Sequence, residues 1–470
     1  MRAAAWRTNF SEARSAFQIG LCDFDRSAAM ARASKLQNSP PHFFGPVYAL
    51  CRKPNGGKIG LGASAIWVMV VEMTLCLFCP AELAETTKPE HILLNSLGGR
   101  KTTTGAICSA CNNKFGGTID NVLTSQVIAL RNLLQLESGT GNPAPTLKNL
   151  QAGEHKVNIK GDGSFELVAK PFIIERLEDG RWNVQIQARS EVHLAKIVPH
   201  LAAALQVPEE HLLEQLGAAR GSKITQRPGA VHHELAFGGP DAIRSMVKAS
   251  LVLWSTLVGN DEVRSAPYDA ARHFVVNGDS QFNLDRTHLD SRPFGDIERM
   301  KAAFGIMFNL ICVRSDEKGR VVGHFTLYNA VAWQFTLAET GGTPNAKIAL
   351  ISNPLDPSQW SDRAADDFDV PFEWLNNPDY SDEMVRSKAR FDAILKHYFD
   401  LNNPKAIGQI IEECFNTLNV APGEAVPPDR LKEFSNLLGR RIALHTFSLP
   451  YEETLSPERK AEMFQKKRIQ

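Results

Sequence analysis

Apolar residues in this chain follow two periods, one of strands and one of helices. Residues 157–168 and 172–188 alternate apolar and polar positions, with Asp162-Gly163 and Asp179-Gly180 as turn signals, and predict two or three antiparallel strands. Residues 231–237 form another short strand pattern. Residues 306–313, 321–328 and 332–337 alternate around the turn Asp316-Glu317-Lys318-Gly319, which predicts a meander preceded by a helix near 297–303. Helical spacing governs 192–216, with Glu209, Glu210 and Glu214 outward. It governs 241–258 more strongly, a core helix whose inner residues include Ile243, Met246, Leu251, Leu253 and Trp254. From residue 381 the pattern is mostly helical, with breaks at Asn403-Pro404 and over 422–428, and it finishes in the basic Lys466-Lys467-Arg468. The class implied is α+β, a mixed region with antiparallel strands followed by a helical C-terminus.

Residues 1–72 carry neither period. They are rich in Ala, Arg and Ser, contain Pro40-Pro41 and the basic run 52–58, and predict a poorly ordered extension, or a stretch upstream of a start at Met69 or Met73. The apolar run 59–71 falls short of the roughly 20 residues a membrane helix needs and lies too far along for a signal peptide, so no membrane partner is expected. A Gly-, Thr- and Pro-rich linker at 139–145 then divides the chain into 1–72, 73–138, an α+β region at 146–345 and a mainly helical region at 346–470.

Composition adds bounds rather than identity. A chain of 470 residues, 43% hydrophobic and 22% charged, has room for two or three domains. Its formal net charge is zero, so any grip on nucleic acid must come from a local basic patch. Eight cysteines fit a reducing, cytoplasmic compartment, and four of them, Cys22, Cys51, Cys312 and Cys414, are scattered and read as inert.

The other four concentrate the chemistry. Cys76 and Cys79 make one Cys-x-x-Cys pair, Cys108 and Cys111 another, with 28 residues between the pairs. That spacing lets two tight turns offer four thiolates to one tetrahedral Zn²⁺. Inside the closed loop sit Glu90-His91-Ile92-Leu93-Leu94, a strand-like run led by an acid and a base, and the turn Gly98-Gly99; residues 104–108 are placed to return antiparallel to it. Cys111-Asn112-Asn113-Lys114 then opens a helix expected to run past Leu134, on which Asn112, Gly116 and Asp120 recur every four residues. A hairpin plus a helix, stapled by one ion, is the implied unit.

Cys-x-x-Cys, then Glu-His before an apolar strand, then Gly-Gly, then Cys-x-x-Cys-Asn resembles the HNH endonucleases in their zinc-stapled ββα-metal (His-Me finger) form. The resemblance covers about 45 residues, from Cys76 to Asp120. It implies a phosphodiester hydrolase with His91 as general base, Glu90 and Asn112 as ligands of a catalytic Mg²⁺ or Mn²⁺, and zinc on Cys76, Cys79, Cys108 and Cys111 as structure only. Asn113 is the alternative to Asn112, because helix phase alone does not separate neighbours. The loop before the second pair, Arg100-Lys101-Thr102-Thr103-Thr104, lacks the further Asn or His that many relatives carry there. By the same resemblance the substrate is DNA, with RNA left open, cleavage leaves a 5′ phosphate, and defence against foreign DNA is a fitting setting.

Each candidate has a plainer reading. Four paired cysteines alone make a zinc-stabilised module that binds nucleic acid or protein without catalysis, and the missing loop residue allows an inactive nuclease fold used as a sensor. Asp120 is either a helix-surface acid or a partner of the site. Lys114 and Arg100-Lys101 are candidates for gripping phosphate, against the commoner case of solvated charges.

Overall fold

A computed structural model describes residues 74–454, apart from 85, 153–154, 169, 179–181, 187–190, 219–221, 226–230, 422, 448 and 450, together with the strands Ala4–Asn9 and Gln18–Leu21. The expectations for the rest of the N-terminal extension and for the turn at Asp179-Gly180 lie outside the described residues.

The region around the four cysteines is a small hairpin-and-helix unit. Strand β1 (Glu90–His91) pairs antiparallel with β2 (Thr102–Thr103), Glu90 opposite Thr103 and His91 opposite Thr102. The return strand thus comes earlier than the expected 104–108. Those residues are engaged elsewhere: Leu77 N–H donates to Ala106 O at 2.9 Å, and Ala106 and Ile107 are buried in the core. Ile92 N–H makes one further bond to Lys101 O at 3.0 Å, Ile92, Leu93 and Leu94 are buried, and a single 3₁₀ turn, Asn95–Leu97, ends at Gly98 with φ 86°. At Gly99 a β-carbon would lie 1.9 Å from Leu93 O, so only glycine fits this close approach.

Helix α1 (Ser109–Gly117) follows, then α2 (Ile119–Leu133). The single helix expected over this stretch is broken at Thr118, with φ −123° and ψ −99°, directly after Gly116-Gly117. Two glycines in succession make helical geometry costly in chain entropy, and the Thr118 hydroxyl caps the break by donating to Lys114 O at 2.7 Å. Asn112 and Asp120 therefore sit on different helices. Residues 139–145 fold back over this unit, with Gly139 N–H donating to Asn95 O at 2.8 Å and Asn132 Nδ2 to Pro145 O at 2.9 Å.

Helix α3 (Pro240–Val258) is the central element. Proline at its first turn suits the N-terminus, and Ile243, Met246, Val247, Leu251 and Trp254 are buried. One side meets α2, and the other covers a six-stranded antiparallel sheet of β3 (Thr287–Asp290), β4 (Asn309–Ser315), β5 (Val321–Leu327), β6 (Val331–Ala338), β7 (Lys347–Ser352) and β8 (Trp360–Ser361). The order across it is β3-β6-β5-β4-β7-β8. Strand alternation sorts the side chains: Ile311, Val313, Phe325, Phe335 and Leu337 join the core shared with α3, while Leu310, Cys312, Val322 and Ile351 meet Phe294, Met300 and Phe368 on the opposite face. The predicted meander is this sheet's centre, and the helix near 297 is Ile297–Phe304.

Strands Leu147–Ala152, His155–Ile159 and Phe165–Val168 form a small antiparallel sheet, and Phe172–Arg176 pairs with Trp182–Ile186. Helices Glu191–Leu205 and Glu209–Ala218 occupy the predicted helical stretch, with Glu209, Glu210 and Glu214 exposed. The C-terminal helix Glu383–Thr417 runs through Pro404, where a break was expected. Its two halves are anchored separately, Phe391 and Ile394 in the main core and Cys414 against buried surroundings nearer its end, and that packing outweighs one lost backbone bond. The later break, before helix Leu431–Thr446, falls in the proline-rich stretch as predicted. No helix among the described residues is long and apolar enough to cross a membrane.

Asn309 ties sheet to finger. Fully buried on β4, it donates from Nδ2 to Leu97 O at 2.8 Å and accepts from Tyr328 N–H at 3.0 Å. Replacing it by leucine strands two buried backbone groups, and Asn309→Leu is expected to lower stability by about 1–3 kcal/mol for each, read as a lower urea midpoint.

Candidate metal centre and active site

The four sulfurs of Cys76, Cys79, Cys108 and Cys111 lie within 4.8 Å of one another, and all four are free thiols. A tetrahedron of Zn–S bonds near 2.3 Å has edges of about 3.8 Å, so the cluster fits one zinc ion. Cys79 Sγ and Cys108 Sγ are 3.6 Å apart. Backbone amides are already aimed at the sulfurs: Cys108 N–H donates to Cys76 Sγ at 3.3 Å and Cys111 N–H to Cys108 Sγ at 3.5 Å. Burial pushes the Cys76 and Cys111 thiols up. Burial opposes ionisation of Cys108 too, but the Cys111 amide and the neighbouring sulfurs outweigh it and hold that thiol below its usual value. A divalent cation is what allows four thiolates to share so small a volume.

The turn that carries the first pair is held from outside. Arg264 donates from Nη1 to Cys76 O and, at 2.8 Å, to Cys79 O; Arg272 reaches Leu77 O at 3.3 Å. Asn260 Nδ2 bridges Leu75 O at 2.9 Å and Gly105 O at 2.6 Å, joining the residue before the first cysteine pair to the segment leading into the second. These residues follow α3 and are more than 150 positions from the cysteines they support. Nothing local in their sequence marks them.

The zinc pairs and hairpin set Glu90 and His91 side by side on β1. Glu90 is 6% exposed and His91 is partly buried. Burial holds the His91 imidazole below its usual value, opposed by the Glu90 carboxylate and assisted by Lys88. Neutral imidazole is the form that accepts a proton. On α1, Asn112 is partly buried and its side chain makes no hydrogen bond to another described residue, while Asn113 and Lys114 are exposed. Lys101 pairs with Asp362 at 2.7 Å.

Glu90 is not alone in its pocket. Lys248, on α3 and fully buried, places its ammonium 2.8 Å from Glu90 Oε1 and 2.6 Å from Asp120 Oδ2. Ser245, one turn earlier, donates to the other Asp120 oxygen, Oδ1, at 2.5 Å. The ammonium also lies 5.8 Å from the Phe115 ring centre. Burial alone would lower the Lys248 pKa; Asp120 and then Glu90 outweigh that and hold it above the usual lysine value, so the group is charged. Asp120 is thus a buried partner of Glu90 through a shared cation, and of the expected residues the structure brings Glu90 and Asp120 together. In sequence, Lys248 lies within a helix whose spacing marks it only as apolar core. Its signal was a lysine on the inward face of that helix, between Met246-Val247 and Leu251.

A hairpin and helix gathered by a four-cysteine cluster, with an acid and a histidine on the first strand, has the arrangement of a zinc-binding ββα finger. Residues 76–128 match the model of the HNH endonuclease family, so this segment is an HNH finger set in a larger α/β chain. That match suggests nuclease activity and a nucleic-acid substrate. Comparison with curated proteins and with solved structures returned no match.

Because Arg264 holds the carbonyls of both first-pair cysteines, Arg264→Ala is expected to leave zinc at one per chain but to speed its loss to a chelator at least about tenfold, one lost charged hydrogen bond being worth roughly 1.5–3 kcal/mol. Cys111→Ser is expected to abolish stoichiometric zinc altogether. Metal analysis and a chelator-indicator assay check both.

Proposed function

We propose that this chain is a metal-dependent endonuclease that hydrolyses phosphodiester bonds in DNA, in a role such as defence against foreign DNA. The observation that carries the reading is the pairing of Glu90 and His91 on one short strand whose ends are closed by the four-thiol cluster, within the segment that matches the HNH endonucleases. Zinc on Cys76, Cys79, Cys108 and Cys111 is structural.

His91 is the general base. It takes a proton from the attacking water as the water oxygen bonds to phosphorus and the bond to the 3′ oxygen breaks, leaving a 5′ phosphate and a 3′ hydroxyl protonated from solvent. Depression of its pKa by burial favours the neutral form at pH 7. Glu90 and Asn112, or Asn113 in its place, would hold the catalytic ion. Their oxygen donors suit a hard cation, and Glu90 keeps one oxygen, Oε2, without a hydrogen bond to any described residue. When bound, Mg²⁺ or Mn²⁺ supplies charge neutralisation at the scissile phosphate. Residues from about 146 onward would choose the substrate, and Lys114 is a candidate phosphate contact.

One observation favours a second reading. Glu90 is almost wholly buried and already shares Lys248, as a structural acid in a noncatalytic nucleic-acid or protein binding module would. Nicking of supercoiled plasmid separates the two. On the nuclease reading, wild type cuts with Mg²⁺ or Mn²⁺, and His91→Ala loses at least about 100-fold of the rate while zinc stays at one per chain. DNA binding without cutting under either ion would establish the binding module instead.

A further inference from the structure

Three buried charges meet where one would be hard to accommodate. The Glu90 and Asp120 carboxylates come from β1 and α2, and the single ammonium between them comes from α3. Formal charge over the three is −1. A pair of buried carboxylates without a cation would repel one another and lose hydration, and the ammonium between them offsets both costs. It is tethered to the helix that organises the molecule.

The same charge acts on any second cation. A divalent ion approaching Glu90 meets a carboxylate whose Oε1 is already bonded to Lys248, and it meets Asp120 only as a carboxylate satisfied on both oxygens, by Lys248 and by Ser245. The site therefore presents much less negative charge than two acids imply. Two like charges a few ångströms apart in a partly buried site repel strongly enough to change affinity by orders of magnitude. A phosphate anion arriving with the ion supplies the missing negative charge.

We infer that Lys248 is a positioning residue with a second effect: its hydrogen bond holds the Glu90 carboxyl group aimed before any metal arrives, and its positive charge keeps the catalytic ion weakly bound until a nucleic-acid phosphate joins it. Ion and substrate then load together, each raising the affinity for the other by the same factor. This rests on the reading of Glu90 as a ligand of the catalytic ion.

The test is Mn²⁺ binding, followed by electron paramagnetic resonance in the full-length zinc-loaded protein carrying His91→Ala, so that DNA stays intact. A short DNA duplex is expected to tighten Mn²⁺ binding at least about tenfold. Adding Lys248→Met is expected to tighten Mn²⁺ binding by at least about tenfold without DNA and to remove most of the response to DNA, while Lys248→Arg keeps both properties. Equal Mn²⁺ affinity with methionine and lysine at 248 overturns the inference and leaves the nuclease reading standing. Should the methionine variant lose its zinc or fail to fold, the DNA response of the Lys248 protein decides, and an affinity indifferent to DNA overturns the proposal. If Glu90→Gln changes Mn²⁺ binding in none of these proteins, with or without DNA, the catalytic-ion assignment falls and this inference with it.

Discussion

Burial of charge is the constraint on which this architecture turns. An ammonium and two carboxylates, each less than 10% exposed, meet at 2.6 and 2.8 Å at the junction of the finger and the central helix. Stripped of water, such groups are tolerable only in combination, and removing one member of a buried pair costs about 3–5 kcal/mol because its partner stays behind uncompensated. The triad therefore does more than decorate an interface. It couples the orientation of β1 to the seating of α3, so the acid beside His91 is placed by the core of the whole molecule.

The four clustered cysteines address a different difficulty. A finger of about 50 residues buries too little apolar surface to be secure alone, and a cluster able to hold one zinc ion gathers both ends of its loop. The cluster has help: Arg264, Arg272 and Asn260 hold the carbonyls of the first cysteine turn, and Cys76, Leu77, Ile92, Leu93 and Phe115 lie in one apolar cluster with α3 and the sheet. Cysteine cluster and surrounding protein thus fix opposite sides of the same short segment.

What the chain revealed in one dimension tracked the range of each interaction. Alternation at 306–337 located the sheet's centre, because a buried antiparallel strand writes its two faces into every second residue. The cysteine spacing located the metal centre because both pairs are local turns. Errors arose where competition between segments decided the outcome. The return strand is Thr102–Thr103 because 104–108 are claimed by Leu77 and the core, α1 ends at a glycine pair that spacing rules ignore, and Pro404 is carried through a helix anchored on both sides of it.

By itself, the order of residues determined the thiolate cluster, the acid-histidine pair, the membership of this segment in a class of fingers and the α+β character of the rest. These are short-range facts, set by bond geometry and by the period of side chains along a strand or helix. Only the tertiary structure decided that Glu90 faces a lysine 158 positions away, that Asp120 shares it, and that arginines beyond α3 brace the cysteine turn. Electrostatic pairing in a dry interior depends on which groups end within 3 Å of each other, and no spacing along the chain records that distance.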